Sequence, residues 1–333
     1  MQPDVTIHKG QKDKPVVIFI HGLGIDKDIW LNPLNTKIFA KNVPIKIFAA
    51  KLPRPLIPPC PPLKKGGYLN GKLTIGDIPE KVDSLWTALK DRGFNLVCWS
   101  QRRPVGPMDA AVEELKKIME IVRESFPGKP VALIGHSRGG LIARKFMEAK
   151  PPEVTALITI STPHSGSSLA LLGKYLKPLS PPLKVILPKD AHGTLSGVLK
   201  RFSELIEGNA TRELLPGSDF FKSLKDVPAD GVKYMSFGGT KTKLLTVYTW
   251  KRRHDEMPYP TPLLTIPDSL LKILPSSKLP DELKTGKGDF LVSAKSSELP
   301  WASNHYNVSA NHITILWNKK VIGNTVKILE EIS

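Results

Sequence analysis

The chain has only two cysteines in 333 residues, Cys60 and Cys98. Two cannot build a disulfide framework, so the fold has to rest on buried apolar surface. They stand either as thiols or as one bridge, and Cys98 lies in an apolar run that reads as core. Long hydrophobic runs are also missing. None approaches the roughly 20 residues that a membrane-spanning helix needs. Residues 1–14 are polar and lack the apolar segment of a secretory signal. That leaves two compartments open: the cytosol, or secretion if a signal has already been removed. No His or Cys spacing points to zinc.

Acidic residues are scarce: 31 Asp and Glu face 48 Lys and Arg, for a net charge of +17. Such an excess suits anionic surfaces, lipid headgroups or nucleic acid. The basic residues are nevertheless spread along the chain. Lys64-Lys65, Arg102-Arg103, Lys251-Arg252-Arg253 and Lys319-Lys320 are short clusters with no nucleic-acid motif beside them. The expectation is a solvated surface with weak attraction to acidic membranes and no nucleic-acid partner. Oligomeric state is not legible.

With 41% hydrophobic residues, the chain can bury a large core. It suits one α/β domain with insertions better than two independent domains. The stretch that organises it is Val131-Ala-Leu-Ile-Gly135-His136-Ser137-Arg138-Gly139-Gly140-Leu-Ile-Ala. A short apolar run reads as a buried strand, breaks at a Gly-x-Ser-x-Gly turn, and continues into a helix through Phe146 and Met147. Strand, sharp turn and helix form the context of a nucleophile elbow. The glycines remove the Cβ atoms that would keep strand and helix apart, and Ser137 takes a strained backbone. The helix then points its positive N-terminal end at developing negative charge.

Upstream, Val16–Ile20 reads as a parallel strand buried on both faces, ending in His21-Gly22-Leu23-Gly24. The N–H of Leu23 in this turn and the N–H of Arg138 after the serine are the expected oxyanion donors. Residues 25–76 read as irregular, with a proline-rich run at 52–62 that excludes helix interior and central strand. Regular alternation follows. Ile78, Val82, Leu85 and Leu89 recur at helical spacing up to Gly93; Phe94–Trp99 reads as a strand; Val112 to Phe126 marks a long amphipathic helix. Val154–Ile160 is a further strand, leading into Ser161-Thr-Pro-His164-Ser-Gly166. Such units imply a mostly parallel sheet with helices on both faces. Residues 167–230 hold short helical pieces at 169–176, 198–206 and 220–224. His164 and His192 read as hydrogen-bonded or surface residues. Val232–Phe237 reads as a strand, with Leu244–Trp250 as an extension, and residues 251–285 as proline-broken.

The Leu133–Leu141 stretch, His21-Gly-Leu-Gly and Ser161-Thr-Pro-His-Ser-Gly together resemble α/β-hydrolases, most closely the bacterial true-lipase type. The resemblance is good over residues 15–166 and at the ends of the last strands, and poor over 25–76 and 167–285. It implies a single α/β-hydrolase domain over 1–333, with cap, lid or rim insertions at 25–76, 167–230 and 251–285. It also implies that Asp289, in Gly288-Asp-Phe-Leu-Val292, orients the base. His312, in the turn after the last strand and before a terminal helix, stands where that base belongs. Ser137, Asp289, His312 is the chain order that this fold requires. His305 competes as base, and Asp268 and Asp255 as acid. Arg138 departs from the family pattern, and its side chain is free to pair with a carboxylate. No cofactor is expected. Asp281, Asp289 and Glu298 are acidic neighbours without a recognisable calcium loop, so structural calcium stays open.

The expected activity is hydrolysis of carboxylic esters with apolar acyl chains, through an acyl-enzyme on Ser137. Acyl transfer or thioester cleavage by the same residues stands second. A non-catalytic binding protein on the same scaffold stands third.

Overall fold

The computed structural model describes residues 3–38, 41–42, 45–54, 73–168, 209–225, 227–251, 257–271, 275, 277 and 279–332. The expected helices at 169–176 and 198–206, the proline run beyond residue 54, Cys60, His192 and Asp255 lie outside them.

Nine strands matter here. They are β1 (Asp4–His8), β2 (Val16–Ile20), β3 (Asn95–Ser100), β4 (Val131–His136), β5 (Val154–Ile160), β6 (Lys233–Gly239), β7 (Leu245–Lys251), β8 (Tyr259–Ile266) and β9 (Asn304–Val308). Seven of them form the main sheet in the order β1-β3-β2-β4-β5-β6-β9. β1 pairs antiparallel with β3, and every other pair is parallel. The parallel strands therefore end at one edge, and the turns after β2, β4, β6 and β9 meet there.

β2 shows why the sheet is central. All five of its residues are buried, and they divide by parity. Val17 and Phe19 join one core with Leu96, Cys98, Ala132 and Ile134. Val16, Ile18 and Ile20 join the opposite core with Val97, Trp99, Val131 and Leu133. The first face is covered by α1 (Leu85–Lys90) and α4 (Lys319–Glu330), the second by α2 (Met108–Ser125) and α3 (Arg138–Phe146).

The structure differs from the sequence pattern in three places. The helix before β3 begins only at Leu85, because the Ser84 hydroxyl accepts the Thr87 N–H and caps it there. Ile78 is left exposed. The region after β2 is not merely peripheral: Ile25, Ile29, Trp30 and Ile45 are all core residues. The strand β7 does not extend β6. It belongs to a separate antiparallel sheet, flanked by β8 and by Leu73–Thr74. β8 tolerates Pro260 and Pro262 because it is an edge strand.

Candidate active site

The nucleophile elbow is built locally. Ser137 sits between β4 and α3 with φ 53° and ψ −127°, a region that a side chain occupies only under strain. Its N–H is held by the Ile160 carbonyl at 2.9 Å. The flanking glycines are required by contact. A Cβ on Gly135 would lie 2.4 Å from Gly140 Cα, and one on Gly139 would lie 2.3 Å from the Ile20 carbonyl oxygen. The second contact brings the end of β2 against the start of α3. Gly22 then abuts Ser137, its missing Cβ 3.1 Å from Ser137 Cβ.

The turn after β2 carries Leu23. Here the His21 imidazole fixes the backbone. Its Nε2 accepts the Gln101 N–H at 2.9 Å, so Nδ1 carries the proton and donates to the Gly22 carbonyl at 2.9 Å. Gln101 Nε2 donates to the His21 carbonyl at 3.0 Å. With the Gly22 carbonyl held toward His21, the Leu23 N–H across the same planar peptide points the other way. Among the described residues neither the Leu23 nor the Arg138 main-chain N–H has an acceptor. Burial holds His21 at a pKa of about 4, with the Gly22 bond opposing and Arg138 assisting.

The Arg138 side chain makes no carboxylate pair among the described residues. It is fully buried and donates to Gln101 Oε1 and the Gly106 carbonyl. Burial lowers its pKa to about 10, while Glu213 and Glu114 act in the opposite direction. The guanidinium therefore stays charged at neutral pH, bonded to the same Gln101 that holds His21.

Asp289 and His312 meet in this structure. Asp289 Oδ2 lies 2.9 Å from His312 Nδ1, and both side chains are buried. The other carboxylate oxygen, Oδ1, accepts the Leu291 and Val292 N–H groups at 3.0 and 2.7 Å. A carboxylate so engaged is fixed in rotation. The Asp289 carbonyl also accepts the His312 N–H at 2.9 Å. The approach needs Gly239 at the end of β6, where a Cβ would lie 2.6 Å from Asp289 Cβ. No hydrogen bond joins Ser137 to His312 in this structure. His312 meets the elbow at His136, whose ring is 4.8 Å from its own. Such contacts commonly tighten only around a bound substrate.

The competing residues are engaged elsewhere. His305 lies on β9, with Nδ1 2.8 Å from Ser236 Oγ and Nε2 3.2 Å from Asn307 Oδ1. Asp268 accepts the Thr242 hydroxyl. Asp281 pairs with Lys284. Among the described residues no three His, Cys, Asp or Glu side chains gather in a way that could hold a metal ion.

Sequence reasoning missed three supports. Gln101 is the first residue after β3, and only its two-sided bonding to His21 and Arg138 reveals it. His136 is one of the free positions of the Gly-x-Ser-x-Gly pattern. The Ser161–Gly166 motif, to which the sequence assigns no role, ties down the loop that carries Asp289. Ser296 accepts the His164 N–H through its carbonyl at 2.7 Å and the Ser165 N–H through its hydroxyl at 3.3 Å, and that hydroxyl donates to the Gly166 carbonyl. Ser167 Oγ donates to the Leu291 carbonyl, and the Ser168 N–H to buried Glu282 at 2.8 Å. His164 itself is a buried structural residue. Arg144 donates to its Nδ1 and carbonyl, and Nε2 is 2.9 Å from Thr159 Oγ1.

A strained serine at the tip of a parallel strand, a buried Asp–His pair beside the ends of β6 and β9, and this strand order define an α/β-hydrolase, and the chain has that fold. A family described as serine aminopeptidase, S33, matches residues 81–216. Lipase BlEst2 of Bacillus licheniformis in its propeptide form superposes with a TM-score of 0.53 at 16% identity, over 99% of this chain and 54% of that one. The mature form of the same lipase gives 0.48 at 16% identity, over 99% of both chains. A monoacylglycerol lipase of Paleococcus ferrophilus gives 0.42 at 13% identity, over 100% of both. No curated protein sequence matches the chain.

Proposed function

We propose that the protein is a serine hydrolase of carboxylic esters with apolar acyl chains. The observation that carries the reading is the buried 2.9 Å contact between Asp289 and His312, with His312 packed on the residue before a serine held at positive φ. Ser137 Oγ attacks the ester carbonyl while His312 Nε2 takes its proton. Asp289 keeps the opposite ring nitrogen protonated and stabilises the imidazolium. The Leu23 and Arg138 N–H groups receive the oxyanion, and the buried Arg138 charge adds positive potential. Collapse of the tetrahedral intermediate expels the alcohol, which receives the His312 proton. Water then repeats the sequence on the acyl-enzyme and releases the acid. The leucine-rich insertion at 167–230 favours an apolar acyl chain. The net charge of +17 favours substrate presented at an acidic lipid surface. The lipase among the similar structures is consistent with an ester substrate.

The test is turnover of p-nitrophenyl esters from acetyl to long acyl by the wild type and by Ser137→Ala, with aminoacyl p-nitroanilides run in parallel. Activity rising toward longer acyl chains and lost in the variant supports the reading. An anilide preference moves it to a peptidase. Partition of the acyl group to an added alcohol in preference to water moves it to a transferase. Turnover unchanged in Ser137→Ala overturns it.

A further inference from the structure

We propose that His136, the residue before the nucleophile, is a positioning residue that docks the turn carrying His312 onto the nucleophile elbow. The inference rests on the reading of Ser137 as nucleophile and His312 as base. It begins with one hydrogen bond. His136 Nε2 lies 2.9 Å from the main-chain carbonyl of His312, across 176 residues of sequence. A carbonyl only accepts, so Nε2 carries the proton and Nδ1 is bare. That Nδ1 is buried and has no partner among the described residues. The tautomer is thus committed to the bond with His312.

The importance of the bond comes from what else holds the base. His312 is tied at its N–H and at its ring Nδ1, and both ties run to Asp289. Those two bonds make Asp289 and His312 one unit. By themselves they do not say where that unit stands relative to Ser137. The third tie, at the His312 carbonyl, comes from the elbow itself. His136 is the last residue of β4, a strand paired on both sides, and its neighbour is the nucleophile. Its ring has little freedom: His312 lies against it at 4.8 Å with a 47° tilt, and Trp30 meets it edge-on at 6.4 Å and 89°.

The ring contact adds an electrical requirement. When His312 takes the serine proton, a positive charge appears beside His136. The titratable groups facing His136 are His312 from the turn after β9 and His21 from the turn after β2. Among the described residues no carboxylate faces it to offset a second positive charge. Burial, with His312 and His21 nearby, holds His136 neutral. A neutral ring can sit against an imidazolium without repulsion.

The variants His136→Leu and His136→Phe keep apolar bulk and remove the donor. His136→Gln keeps an N–H that reaches where Nε2 does. We expect kcat to fall about 100-fold in the first two with KM nearly unchanged, because the base is misplaced while the binding cleft is untouched. The Gln variant recovers to within about fivefold of the wild type. Reaction of Ser137 with a fluorophosphonate falls by the same factor as kcat. In ¹⁵N-histidine spectra the strongly downfield proton between His312 and Asp289 persists, since that unit remains whole. If His136→Leu fails to fold, the Phe variant reads the same contrast. Leu, Phe and Gln variants equally impaired, in proportion to their melting temperatures, would overturn the proposal, since packing alone would then explain them. So would wild-type labelling rates in the Leu variant. A wild type that neither hydrolyses esters nor reacts with the fluorophosphonate sinks the parent reading, and this proposal with it. An active wild type with an indifferent His136→Leu sinks this one alone.

Discussion

The two turns proposed to carry the chemistry each strain one residue, and they do so by different means. At the elbow, Ser137 (φ 53°) is forced by its immediate neighbours: Gly135 and Gly139 let β2, β4 and α3 close around it. At the acid loop, Phe290 (φ 90°) follows Asp289 in a segment with little secondary structure. That loop is shaped from outside, by bonds from residues 164–168 to Ser296, Leu291 and Glu282. One turn is written into a few consecutive residues. The other is assembled from segments more than 100 residues apart.

The largest expected effects are chemical and fall on both turns. Ser137→Ala lowers ester turnover by about 10⁴-fold or more. Asp289→Asn lowers kcat by about 10⁴-fold, because the amide admits the wrong His312 tautomer. Steady-state assays at neutral pH check both. Acid acts next, and it acts on the elbow side. Unfolded His21 takes a proton near pH 6.5, whereas the folded residue resists until about 4. Between those values the unfolded chain binds more protons. Stability is therefore complete above 6.5 and is lost as pH falls toward 4, by about 3 kcal/mol for this residue. Urea unfolding of the wild type and His21→Gln from pH 7 to 4 reads the difference: the variant should lose less.

Glycine scanning sharpens the contrast between the turns. Ser137→Gly relieves strain and should stabilise the fold by about 1 kcal/mol while abolishing activity. Phe290→Gly relieves similar strain but removes a buried ring, so it should destabilise by about 2 kcal/mol. Thermal melts with opposite signs would establish that the elbow is strained for function and the loop is bought by packing. The smallest effect belongs to Ser296→Ala, which should cost about 1 kcal/mol and lower kcat a few-fold by loosening the acid loop.

The same contrast explains what was legible in the sequence. β2, the β4–Ser137–α3 elbow and β5 were readable because apolar runs and glycine positions act over a few residues. The pairing of Asp289 with His312 came from the resemblance to α/β-hydrolases, since Asp289 directly follows no strand. The role of Trp30 and Ile45 in the core was not, since no periodicity announces a residue that packs singly under a sheet. β8 was hidden by its prolines, which propensity reads as loop and an edge position tolerates. Gln101 and His136 act through partners 80 and 176 residues away, so no local pattern carries them.

Those prolines have one more consequence. Pro260 and Pro262 are two residues apart, so both missing N–H groups lie on the same side of β8. The ladder to β7 is intact across Trp250 and Tyr248, which leaves the gap on the outer side. An incoming strand, whether from a second copy or from a partly unfolded chain, would find two of its carbonyls without a donor. This edge of the small sheet therefore resists growth by strand addition where charged or apolar side chains alone would not prevent it.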